Sequence, residues 1–205
     1  PFVDTVQFRG DSYREEPPYA NLNHIGMAYA TYSTTDLDGD YAYLQSEGVE
    51  FLSAPAKAPN GELFVFLKDQ DGTFLKLIQA TEGDEPTPGP DLVRLVNTNI
   101  NVTDLQRSRE FYRLLGFTKS EPISQAGSGE FSAAHGFDGP IEFKGEDVSL
   151  GAGTDGATLQ LRRWNNPYDD SPPYPPPVNH LGIDRINFYV KDLTVSIKTM
   201  NELGY

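Results

Sequence analysis

Three times in this chain an aspartate is followed, twelve residues later, by a glycine in the same local frame. Asp36-Leu37 leads to Gly48-Val49, Asp104-Leu105 to Gly116-Phe117, and Asp192-Leu193 to Gly204-Tyr205. Each aspartate closes an apolar alternating run: Met27 to Tyr32, Leu95 to Val102, and Ile186 to Val190. Alternation with period two is the mark of a half-buried strand. An aspartate just past such a run suits a helix N-cap, where its carboxylate accepts from backbone N–H groups that have no partner in the first turn. After Asp104, residues Leu105, Ser108, Phe111, Tyr112 and Leu115 recur at amphipathic helical spacing. The glycine supplies the stop, because a left-handed residue after the last turn is cheap only for glycine. The pattern predicts strand, capped helix and glycine stop in each unit, with helices near Asp36 to Glu47, Asp104 to Leu115 and Asp192 to Leu203.

A second repeat follows the helices. Asp71-Gly72-Thr73-Phe74-Leu75-Lys76-Leu77 matches Asp155-Gly156-Ala157-Thr158-Leu159-Gln160-Leu161, an Asp-Gly turn running into a strand. Thr5 to Arg9 matches Thr158 to Arg162 without the turn. The ordered set Gln7-Phe8-Arg9, Tyr13, Pro17-Pro18-Tyr19, Asn23-His24 and Gly26 recurs as Gln160-Leu161-Arg162, Tyr168, Pro172-Pro173-Tyr174, Asn179-His180 and Gly182. Such an order is read as duplication. Residues 1–80 then hold the last strand of one unit, a Pro/Tyr connector and one complete unit. Residues 81–92 form an acidic Pro/Gly linker. Residues 93–205 hold a complete unit, a second connector and a partial unit. The first unit is expected to lack its opening and the fourth its closing strands, leaving sheet edges that stay open or recruit a second copy of the chain, a homodimer.

Charge narrows the partners. The 205 residues carry a formal net charge of −14, which argues against nucleic acid and against anionic membrane surfaces. Absence of cysteine excludes disulfides, thiolate nucleophiles and thiolate metal sites. No stretch is apolar and long enough to span a bilayer, and no signal peptide is visible, so a cytoplasmic protein is expected; export stays open because the chain starts at Pro1. Phe and Tyr, abundant here, are expected to fill much of the core.

The stretch Asn97 to Phe117 resembles the opening of a unit of the vicinal oxygen chelate superfamily, which includes glyoxalases, bleomycin-resistance proteins and extradiol dioxygenases. Phe66 to Leu77 resembles that family's closing Asp-Pro-Asp-Gly strand, with Gln70 in place of proline. The resemblance implies an α+β fold of β-α-β-β-β units paired into cleft-forming mixed sheets. It also implies metal donors on first strands, seven residues before the capping aspartate, and on last strands. Those positions are Tyr29, Asn97 and Arg185, and Gln7, Lys76 and Gln160. None is His, Asp or Glu. Lysine and arginine repel cations, and amide oxygens are weak ligands. Two pockets, Gln7/Tyr29/Lys76 and Asn97/Gln160/Arg185, are therefore expected to hold no divalent metal, the family default, and no other cofactor is implied.

Several residues read two ways. His24 and His180, equivalent by duplication, are ligands or general bases at a cleft mouth, or order the chain where a connector enters a strand. Arg185 holds a carboxylate or enolate oxygen, or pairs with Asp184 or Glu142. Lys76 does similar work, or is a snorkelling edge lysine. The connector tyrosines Tyr13, Tyr19, Tyr168 and Tyr174 wall an aromatic ligand, or belong to a strap. His135 is read as a loop residue without a role. The resulting expectation is a protein that binds a small oxygenated or aromatic ligand in the cleft without metal. The alternative is a lyase or dioxygenase-type enzyme acting on a small oxygenated substrate through a non-standard site.

Overall fold

The computed structural model describes residues 5–8, 18, 20–80, 92, 94–150, 158–171 and 179–205. The first complete unit runs β1 (Gly26–Thr34), α1 (Leu37–Ser46), β2 (Ala56–Lys57), β3 (Leu63–Lys68) and β4 (Phe74–Gln79). The second runs β5 (Arg94–Asn101), α2 (Leu105–Leu114), β6 (Lys119–Gly127), a short helix α3 (Glu130–Ala134), β7 (Ile141–Ser149) and β8 (Thr158–Asn166). The third Asp-to-Gly frame forms α4 (Leu193–Glu202).

All three predicted caps are made. Asp36 accepts from the backbone N–H of Gly39, Asp104 from that of Arg107 and Asp192 from that of Val195, each at 3.0 Å. The three stop glycines sit at φ of +87°, +96° and +83°, a conformation that costs little only without a Cβ.

Within each unit the first strand pairs in parallel with the last, β1 with β4 and β5 with β8. The two first strands then pair antiparallel with one another. The result is one curled, eight-stranded mixed sheet in the order β2-β3-β4-β1-β5-β8-β7-β6, the α+β architecture of paired β-α-β-β-β units. One face packs on the long helices. Leu37 of α1 lies with Val65, Leu67 and Leu77, while α2 covers Ile100, Val148, Leu159 and Leu161. On the opposite, concave face, α3 lies against an aromatic core of Tyr29, Phe64, Phe66, Phe131, Phe143 and Trp164.

Three expectations need correction or fall outside the described residues. Ile186 to Val190 is not a strand. A strand persists only where a neighbour satisfies its N–H and C=O groups, and β1 and β5 already satisfy each other. The segment instead lies near α2, with the Phe188 ring 5.7 Å from Phe117 and the Tyr205 ring 5.1 Å from Phe111. Thr5 to Phe8 is likewise not a strand. The 81–91 linker, Tyr13, Tyr19 and Tyr174 lie outside the described residues.

Candidate functional site

The pairing of β1 with β5 draws single residues from five strands into one line across the concave face. Phe74 lies beside Tyr29, Tyr29 beside Asn99, Asn99 beside Gln160, and Gln160 beside Asp147. Since side chains on paired positions share a face, this row runs across the concave face of the sheet. Lys76, Thr31 and Asn97 form the next row.

Gln160 is the hub. Its Oε1 accepts from the Tyr29 hydroxyl at 3.0 Å and from Arg162 Nη2 at 2.7 Å. Its Nε2 donates to Asp147 at 3.1 Å, and its backbone carbonyl accepts from Asn99 Nδ2 at 3.3 Å. Arg162, two residues along β8 and so on the same face, stacks on Phe143 with its guanidinium carbon 3.8 Å from the ring centroid. Tyr29 and Trp164 flank it at 5.5 and 5.9 Å. Lys76 is ion-paired with Glu62 and lies 5.0 Å from the Phe64 ring centroid.

Burial shapes the ionisation. It pushes the Tyr29 phenol well above its usual range, Arg162 opposing, so the hydroxyl stays a donor. Burial also raises the Asp147 carboxyl, although the Gln160 bond and Arg162 pull it back, and it lowers the Lys76 ammonium against the pull of Glu62. His135, at the end of α3, is held well below the usual histidine value by burial and by Arg162. Its Nδ1 lies 2.8 Å from the Phe131 carbonyl, and its ring is within 5.2 Å of Phe64, Phe66 and Phe131.

Four of the six expected cleft residues meet here: Tyr29, Lys76, Asn97 and Gln160. They lie on one face of one sheet, because the first strands of the two units pair with each other. Lys76 is no edge lysine: β4 lies between β3 and β1, and the side chain is buried. Gln7 is exposed and off the sheet. Arg185 also lies outside the strands, bonding Asp184 at 2.8 Å. His24 lies before β1, with Nδ1 3.4 Å from Asp169 and its carbonyl accepting from Asn101. His180 Nδ1 is 2.8 Å from the Leu181 carbonyl. Neither histidine is on the cleft rows. Arg162, Asn99, Asp147, Glu62 and His135 were not legible as site residues from the sequence alone. Arg162 and Asn99 carried a usable signal, since alternation puts them on the faces of Gln160 along β8 and of Asn97 along β5.

The donors at these positions bind divalent metals weakly. The four strand positions offer a protonated phenol, an ammonium and two amides, with the Arg162 guanidinium beside them. Among the described residues, no three His, Asp or Glu side chains gather as metal ligands. Four polar atoms on this face, from three residues, are orphaned instead. Arg162 is only 3% exposed, yet its Nε and Nη1 have no hydrogen-bond partner, and the same holds for Asn97 Oδ1 and Asn99 Oδ1. Buried polar groups are rarely left so.

Comparisons with known proteins find similarity over part of the chain. A search of curated proteins finds no match. Among solved structures, glyoxalase I from Zea mays is 17% identical with a TM-score of 0.48, the match covering 72% of this chain and 46% of that one. A Streptomyces coelicolor methylmalonyl-CoA epimerase variant is 13% identical with a TM-score of 0.40, covering 68% and 97%. A superfamily member from Vibrio splendidus is 15% identical with a TM-score of 0.38, covering 66% and 96%. The chain spans about half the length of the maize protein. The family model of the Glyoxalase/Bleomycin resistance protein/Dioxygenase superfamily matches residues 6–77. Over that segment the chain is similar to the Glyoxalase/Bleomycin resistance protein/Dioxygenase superfamily.

Proposed function

We propose that the concave face binds a small oxygenated ligand, gripped by side chains without a metal ion. The observation that carries this reading is Arg162: a guanidinium buried among Phe143, Tyr29 and Trp164, with two of its donor nitrogens unpartnered. Desolvating a cation costs several kcal/mol, on the order of 3–5 when its partner is missing. A ligand oxygen at Nε or Nη1 offsets that cost, and the protonated Tyr29 hydroxyl and Gln160 hold the guanidinium in place. The buried rings of Phe64, Phe66 and Phe131 border the site and make that side of it apolar, suited to the ligand's apolar part. The work a metal does elsewhere, polarising a substrate oxygen, falls here to fixed N–H donors.

Trp164 is the single tryptophan of the chain and stands in this cleft, so its emission reports occupancy. Protein dialysed against a chelator and shown metal-free by elemental analysis is expected to retain a saturable Trp164 response to small aromatic carbonyl and carboxylate compounds. A response that vanishes on chelation and returns with a divalent ion would overturn the reading.

A further inference from the structure

From the orphaned atoms we infer the ligand's functional groups: a carboxylate for Arg162 and, close to it, a hydrogen-bond donor, hydroxyl or ammonium, for Asn99. This rests on the cleft reading above and goes further by naming the ligand class.

The argument is one of complementarity. Asn99 cannot turn its amide to serve an anion. Its Nδ2 already donates to the Gln160 carbonyl, which leaves Oδ1 as a bare acceptor in a side chain with no exposed surface. An acceptor oxygen from a ligand placed there would repel it, so that position asks for an O–H or N–H. Arg162 asks the opposite. It has no acceptor and two unpartnered donors. The two demands are close in space. Asn99 and Gln160 are register partners, and Arg162 reaches back along β8 to the Gln160 side chain. Asn97, one pair further along β5 on the same face, adds a second orphaned acceptor. Other carboxylates in the cleft are committed, Glu62 to Lys76 and Asp147 to Gln160, so a ligand anion meets Arg162 with no protein carboxylate hydrogen-bonded to it among the described residues. A compound with only an anionic oxygen satisfies half of this set, and a neutral alcohol the other half.

The test uses the full chain and Trp164 emission. Five probes share a phenyl group for the aromatic wall: 3-phenyllactate, phenylalanine, hydrocinnamate, phenyllactamide and acetophenone. Phenyllactate or phenylalanine is expected to bind at least about tenfold more tightly than hydrocinnamate, which lacks the donor, and than phenyllactamide, which lacks the anion. Which of the first two is tighter distinguishes hydroxyl from ammonium. In Asn99→Ala the advantage over hydrocinnamate is expected to disappear while the advantage over phenyllactamide stays; should that variant not fold, the wild-type series decides alone. Equal affinity for hydrocinnamate overturns the donor half, and equal affinity for phenyllactamide the carboxylate half. A response to acetophenone alone overturns this inference and leaves the cleft standing. Silence to all five overturns both.

Discussion

Arg162 concentrates the tension between stability and binding. Its side chain is buried, but among the described residues only Nη2 has a hydrogen-bond acceptor, the Gln160 Oε1 at 2.7 Å. A buried charge with incomplete partners is a poor contributor to stability, and an apolar residue of similar volume often does better. Arg162→Met is therefore expected to leave thermal stability unchanged or raise it by roughly 1–2 kcal/mol. The same variant should lose the Trp164 response to carboxylates. Denaturant melts and fluorescence titrations on one preparation check both halves, and a variant less stable than the parent would mean the guanidinium is structural. Asp147 stands close by in the same network, and its raised carboxyl is a mark of the same desolvation.

The helices carry two further expectations. At Asp104 the carboxylate accepts from the backbone N–H of Arg107, and none of the residues of α2 is fully buried, so packing does little to mask the cap. Asp104→Ala should cost about 1 kcal/mol, read as a fall in the midpoint of a urea melt with unchanged slope. The second concerns α3, which covers the aromatic side of the cleft through Phe131 and ends on His135. The charged groups that act on His135 are Arg162 from β8 and Lys76 from β4, both cationic; the rings around it come from β3, α3, β7 and β8. Its folded-state affinity for a proton is lowered, so below the ordinary histidine value of 6.5 the unfolded chain binds a proton that the folded chain refuses. Stability present at neutral pH is then lost as pH falls from about 7 towards about 5, at up to about 1.4 kcal/mol per pH unit. His135→Phe should flatten that slope. Thermal melts of both proteins across this window check it, and parallel slopes would show that other groups control acid sensitivity.

For the molecule as a whole, the β1–β5 ladder joins the strands of both units, β1 to β4 and β5 to β8, into a single sheet. The aromatic core draws on both units, with Phe64 and Phe66 from the first and Phe131, Phe143 and Trp164 from the second. Unfolding is therefore expected to be one transition, with far-UV circular dichroism and Trp164 emission coincident and the calorimetric enthalpy equal to the van't Hoff value. Two resolved transitions would mean that the units are independent. No helix among the described residues is long and apolar enough to cross a membrane. What was local in the sequence was legible there: three capping aspartates, three stopping glycines, the alternation of β1 and β5, and the Asp-Gly turn into β4, each decided by a few neighbouring residues and backbone sterics. The run Ile186 to Val190 shows the limit, since the same alternation without a pairing partner makes no strand. The site lay beyond that limit. Tyr29, Lys76, Asn97 and Gln160 were found as homologous strand positions, but which of them share a cleft depends on which first strands pair, a contact between segments some seventy residues apart in the chain. Alternation alone puts Arg162 on the face of Gln160 and Asn99 on that of Asn97, but the loss of water and the missing partners that single them out, like the burial of His135 at the end of α3, are properties of the assembled sheet.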